Sequence, residues 1–145
     1  MIRKSVPVFR KIMLKKRSMR MPRVLIADDE DSMRSLVARA VAMDGHETVT
    51  AEDGAEALDI LTRERGAFDL LLTDIQMPVM DGIALALAAA RDFPDLKILL
   101  MTGFADQRER ASGLNAIVHD VVTKPFSVAD IRTAVADALA SRKTD

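Results

Sequence analysis

A doubly wound α/β fold, (βα)5 with a parallel sheet in strand order 2-1-3-4-5, follows from two features of these 145 residues. Short apolar runs alternate five times with amphipathic stretches, the pattern of a three-layer α/β architecture. The middle runs, LLLT and KILLMT, show no polar alternation, as befits strands covered on both faces. Right-handed crossovers with one topological switch then make 2-1-3-4-5 the simplest order.

The first strand is VLIA (Val24–Ala27), followed by the acidic run Asp28–Asp31. Met33, Leu36, Val37, Ala40 and Val41 recur at helical spacing, and Gly45 stands where that helix stops. His46–Ala51 is β-branched and half polar, which predicts an edge strand. Ala55–Arg65 reads as a helix ended by Gly66, and Leu70–Thr73 as the third strand. Pro78 and Gly82 make a loop of IQMPVMDG before a helix over Ile83–Arg91, which ends near Pro94. Lys97–Thr102 is the fourth strand, Phe104–Ser112 a short helix closed by Gly113, and Ile117–Val122 the fifth strand. Ser127 and Asp130 have the spacing of a capping box for a last helix running to about Ser141. All these elements are expected to form one domain over residues 22–142, with a short tail over 143–145.

Composition removes whole classes of chemistry. With no Cys there are no disulfides, thiolate metal sites or Cys nucleophiles, and two His (His46 and His119, both read as incidental) supply a His-based site poorly. Trp and Tyr are absent, which disfavours base-stacking surfaces for nucleic acid. Residues 1–20 hold eight of the 21 Lys/Arg and no acid, leaving 13 basic residues to face all 22 Asp/Glu, a net −9. So acidic a domain predicts no direct DNA binding and suits metal ions or a basic partner. Residues 1–21 are expected to be a disordered extension or the product of a start codon assigned too early. No apolar run approaches the roughly 18–20 residues that cross a bilayer, and no h-region or cleavage site supports secretion, so a cytoplasmic chain without membrane contact is expected.

In an open parallel sheet function collects beyond the carboxyl ends of the strands. There the sequence sets Asp28-Asp29 after the first strand, Asp74 at the third, Thr102-Gly103 at the fourth and Lys124-Pro125 at the fifth. Singly each has a plainer reading: a strand-end Asp is most often a turn or cap residue, and Lys124 alone could be solvated surface. Together they are three carboxylates, a hydroxyl and an ammonium aimed at one crevice. Two carboxylates about 4 Å apart repel by roughly 4 kcal/mol at an effective dielectric near 20. Lys124 offsets part of this, and an all-oxygen donor set suits Mg²⁺ for the rest. A metal, a lysine and a hydroxyl around a carboxylate also make a phosphoryl-transfer site, with Asp74 as nucleophile.

In order and spacing, LIADDED, LLTDIQMPVMDG, MTG and VVTKPF resemble the landmarks of the receiver domains of two-component response regulators, over about Pro22–Ser141. The resemblance implies a CheY-like fold and a protein that is not an enzyme beyond its own phosphorylation and dephosphorylation. It implies Asp74 as phosphoacceptor, and Mg²⁺ on Asp29, Asp74 and the backbone carbonyl of Gln76, with Asp28 assisting. Lys124 would pair with the phosphoryl group, Thr102 would be the switch hydroxyl, and the Lys124–Pro125 bond would be cis. A histidine kinase or histidine phosphotransfer protein would be the donor. Lacking an output domain after the last helix, such a chain would act by changing its partner. DGHETVTAEDGAEALDIL, MTGFADQRERA and HDVVTKPF resemble the CpdR group, single-domain regulators of alphaproteobacterial cell cycles that prime the ClpXP protease when unphosphorylated. That resemblance adds ClpX as a partner. The polar ending Lys143-Thr144-Asp145 lacks a small apolar tail, so self-degradation is not expected.

One position departs from the family pattern. Val121 stands three residues before Lys124, where receivers usually carry an aromatic switch, and a Val has no ring to swing. Phe104 either substitutes for it or shields the acyl phosphate from water; the residues do not choose. Other readings are a phosphate shuttle or sink with another partner, and an aspartate-nucleophile phosphatase. The latter wants an acid two residues after the nucleophile, where this chain has Gln76. A flavodoxin-like cofactor binder is disfavoured because DDED would repel a phosphate after the first strand.

Overall fold

The computed structural model describes residues 21–65, 67–103 and 105–141. The basic extension over residues 1–20, Gly66, Phe104 and the tail beyond 141 lie outside them, so the expectations placed there stay as expectations. The elements are β1 (Arg23–Ala27), α1 (Asp31–Ala42), β2 (Glu47–Ala51), α2 (Gly54–Arg63), β3 (Leu70–Asp74), α3 (Gly82–Asp92), β4 (Lys97–Thr102), α4 (Ala105–Ala111), a 3₁₀ turn (Ser112–Leu114), β5 (Asp120–Thr123) and α5 (Val128–Ala140). The five strands described form one parallel sheet in the order β2-β1-β3-β4-β5, as the sequence pattern predicts.

Strand residues alternate between the two faces, and so each strand feeds two cores. Leu25, Leu71, Ile98 and Leu100 face one side and pack with Ala57 and Ile60 of α2 and Leu85 and Ala89 of α3. Ile26, Leu72, Leu99 and Met101 face the other and pack with Val37 and Val41 of α1 and Ile131 and Val135 of α5. All five residues of β3 are buried, which is why that run has no polar alternation. The edge strands β2 and β5 are half open, matching their mixed composition.

Local signals set the helix ends. Gly45, past the end of α1, has φ +83°, a conformation that favours glycine. Asp53 caps α2 by accepting from Glu56 N–H, and Asp81 caps α3 by accepting from Ala84 N–H. The capping box of α5 forms in both directions, Asp130 N–H to Ser127 Oγ at 3.0 Å and Ser127 N–H to Asp130 Oδ2 at 2.9 Å.

The fifth strand differs from the expected Ile117–Val122. It runs Asp120–Thr123, because the N–H groups of Ile117 and Val118 are both spent on Leu114 O, closing the 3₁₀ turn. Sheet pairing resumes only when His119 N–H donates to Ile98 O at 2.8 Å. Val118 is buried all the same, so its apolarity reports the core and not a strand. The helix expected over Phe104–Ser112 is α4 followed by the 3₁₀ turn.

Candidate functional site

Sheet register builds the site. Ala27 is level with Thr73, Asp74 with Met101, and Thr102 with Thr123. One step further along each strand, Asp28, Asp74, Thr102 and Lys124 emerge together at the carboxyl edge. Carboxylate oxygens of Asp28, Asp29 and Asp74 lie within 4.8 Å of one another. Lys124 Nζ lies 3.1 Å from Asp74 Oδ1 and 3.9 Å from Asp28 Oδ2. Lys124 is held there by its own backbone N–H, which donates to Thr102 O at 2.7 Å, and the Lys124–Pro125 peptide is cis.

The electrostatics of this notch are unfavourable without a further cation. Asp28 is fully buried and Asp74 nearly so, while Asp29 is exposed. Burial pushes the Asp28 carboxyl up to about 6; the Glu30 N–H bond to its Oδ1 and the Lys124 charge work against that, and Asp74 and Asp29 add to it. Burial also raises Asp74, against the opposing pull of Lys124. Asp28 Oδ2 has no hydrogen-bond partner among the described residues. A buried, unpaired carboxylate oxygen beside two more carboxylates fits a hard divalent cation with oxygen ligands, and Mg²⁺ fits the donor set.

The loop after β3 is shaped by close backbone approach. Gly82 N–H donates to Ile75 O at 2.7 Å, and a Cβ on Gly82 would stand 2.0 Å from Asp74 O. That glycine lets α3 start against the backbone of Asp74 itself. Met80 N–H donates back to Pro78 O at 2.7 Å across Val79, which has φ +69° and is 85% exposed. A β-branched residue in that conformation is strained, and it lies in the loop that leads away from Asp74. Arg34 of α1, which pairs with Asp31 and Glu52, donates to the backbone oxygen of Asp28 at 2.8 Å.

Thr102 is buried at the expected strand end, but its hydroxyl donates to Gln107 Oε1 of α4 at 3.1 Å. Gly103 N–H donates to the same oxygen at 3.1 Å, and Gln107 Nε2 donates to Gln76 Oε1 at 2.7 Å. Gln107 is the residue the sequence reading missed: it lies inside MTGFADQRERA but was given no role there, and only its place on the first turn of α4, five residues after Thr102, hints at one. Val121 is half-buried on β5, and His119 is spent on Asp137 at 2.8 Å. His46 Nδ1 is buried without a partner among the described residues, away from the site on the approach to β2.

No helix among the described residues is long and apolar enough to cross a membrane. Residues 24–136 match the family described as response regulator receiver domain. The chain is 40% identical over 77% of its length to the response regulator receiver protein CpdR of Brucella abortus, covering 91% of that protein. It is 34% identical over 83% of its length to the transcriptional regulatory protein PrrA of Mycobacterium tuberculosis, of which it spans about half, 51%. Among solved structures, that of the response regulator TrrA of Thermotoga maritima in complex with Mg²⁺–BeF superposes with a TM-score of 0.73 at 31% identity, over 81% of this chain and 99% of that one. Receiver domains are in general switches and not enzymes, and they work in two-component systems with a phosphodonor partner. By sequence and by fold, this chain belongs to the response regulator receiver domain family.

Proposed function

We propose that the chain is a Mg²⁺-dependent phosphoryl-aspartate switch in a phosphorelay, with Asp74 as phosphoacceptor. The observation that carries this is the pairing of Asp74 with Lys124 at 3.1 Å beside the unsatisfied Asp28 Oδ2. An Asp74 oxygen attacks the phosphorus of a phosphohistidine or acyl phosphate; the bond to the donor breaks, and the donor leaves with the electron pair. Asp28, Asp29, Asp74 and the Gln76 backbone carbonyl would hold the metal, which neutralises charge on the transferring group when bound. Lys124 turns from Asp74 to a phosphoryl oxygen. Thr102 supplies a hydroxyl donor to another, and the added charge of about −2 draws both inward.

The output we propose is a change of partner. Likeness to CpdR over nearly its whole length favours a single-domain regulator of that kind, with a histidine kinase or histidine phosphotransfer protein as donor. On this reading the unphosphorylated form engages ClpX and primes ClpXP proteolysis, in the cytoplasm and without contact with DNA. An aspartate-nucleophile phosphatase is disfavoured by Gln76, whose amide is tied to Gln107 and is no general acid for a leaving group.

The test is labelling with Mg²⁺ and either acetyl phosphate or a phosphorylated donor. The wild type gains one acid-stable, base-labile phosphate and Asp74→Asn gains none; equal labelling of both removes Asp74 from its role. A pull-down with Asp74→Asn and Asp74→Glu then looks for ClpX, and recovery with neither sinks the adaptor reading alone.

A further inference from the structure

We propose that Gln107 is a positioning residue that holds the Thr102 hydroxyl, and with it helix α4, in the unphosphorylated arrangement, so that loading of Asp74 and release of α4 become one event. The inference rests on the phosphoryl-switch reading above and names the side chain through which that switch reaches the surface.

The argument begins with which atoms can donate. Gly103 N–H has no lone pair to offer, so the Gln107 atom it meets at 3.1 Å must be the amide oxygen. The Thr102 hydroxyl meets the same oxygen at 3.1 Å and must therefore donate to it. A hydroxyl has one hydrogen, and here it is committed to Gln107. It cannot at the same time go to a phosphoryl oxygen on Asp74. The other end of the amide is also engaged, Nε2 donating to Gln76 Oε1 at 2.7 Å, so the Gln107 side chain ties α4 to both β4 and the loop after β3.

The hold on α4 is unusual in being polar. Gln107 is only 6% exposed, whereas Arg108, Glu109 and Arg110 are exposed and Ala111 is the small apolar residue buried beside it. Arg108 reaches Thr123 at 2.6 Å and Arg110 reaches Asp81 at 2.8 Å, but both are exposed contacts that contribute little. The buried amide is thus the strongest polar tether the helix has among the described residues. A phosphoryl oxygen is a charged acceptor, roughly twice as strong as a neutral one, and it outcompetes Gln107 Oε1 for the hydroxyl. Once the hydroxyl turns, Gln107 keeps two of its three bonds, to Gly103 and Gln76, and its hold on α4 is loosened. The route needs no aromatic ring, which suits a chain with Val121 on β5.

The chain lacks Trp and Tyr, so the test is an amide NMR titration of the full chain with Mg²⁺ alone and with Mg²⁺ plus beryllofluoride. Gln107→Met keeps the volume and removes the acceptor. It should bind Mg²⁺–beryllofluoride roughly fivefold more tightly than the wild type, the worth of one neutral hydrogen bond, with the Gly103 amide moving to the shift of an unbonded N–H. Gln107→Asn withdraws the acceptor by one methylene and should show the same gain. Gln107→Glu keeps the acceptor and, with affinity taken relative to Mg²⁺ alone, should show none. A side chain that merely supports the fold would lose affinity in all three. Equal or weaker beryllofluoride binding by the Met and Asn variants overturns the clamp, and failure of the wild type to bind it at all overturns the phosphoryl reading beneath it.

Discussion

The Lys124 ammonium lies 3.1 Å from Asp74 Oδ1, while Asp28 Oδ2, 3.9 Å away, has no hydrogen-bond partner among the described residues. One cation serves two buried carboxylates and satisfies one of them. Removing it leaves both buried carboxylates without a counter-charge, so Lys124→Met should destabilise the metal-free protein by about 2 kcal/mol near pH 7.5. The loss should shrink toward pH 5 as the carboxylates take up protons. Denaturant melts of the two proteins in chelator at both pH values give the comparison.

The raised carboxyl of Asp28 gives the metal-free protein an inverted pH response. Its folded value of about 6 exceeds the ordinary 3.8, so the folded state binds the proton more tightly than the unfolded one. Stability is therefore gained as pH falls through about 6 and is complete only below 3.8, by about 3 kcal/mol at most. Asp74 is shifted in the same direction. Asp44, Asp81 and Asp92 are lowered by their arginine partners and backbone donors, and they stay ionised throughout the window from 7.5 to 5. Thermal melts in chelator should thus rise in midpoint across that window, and the rise should vanish at saturating Mg²⁺. A falling midpoint in chelator contradicts the electrostatic account of the notch.

Asp28→Asn should separate stability from metal binding. The amide keeps an acceptor for Glu30 N–H and presents a donor toward Asp74, so the metal-free fold gains about 1–2 kcal/mol. Mg²⁺ binding should weaken by about tenfold or more, as calorimetry would read.

Two backbone positions near the site predict opposite signs. Gly82→Ala sets a Cβ 2.0 Å from Asp74 O, which cannot yield as a flexible side chain would, and should cost about 3 kcal/mol. Val79→Asn places a residue tolerant of positive φ at φ +69° without losing buried surface, and should stabilise by about 1 kcal/mol. Chemical denaturation midpoints at constant slope check both.

Much of this was legible in the residues because the physics involved is local or periodic. Fully apolar runs announced β3 and β4, the Ser127/Asp130 spacing announced the cap of α5, and strand-end residues announced which side chains meet. The fifth strand starts later than its apolar run predicts because Ile117 and Val118 pack against the core while their N–H groups belong to a 3₁₀ turn. Gln107 was invisible because a buried amide network depends on the angle at which α4 meets β4, and nothing in the spacing of one glutamine encodes that angle. The demands on Gly82 and Val79 were hidden likewise, since they arise from the path of a loop.

Peptide mapping after borohydride reduction tests the central claim most directly, because reduction converts an aspartyl phosphate to homoserine and marks the residue that carried it. With Mg²⁺ and a phosphodonor, the account predicts homoserine at position 74 and at no other. Homoserine elsewhere, or its absence in protein shown to be folded and metal-loaded, would contradict it.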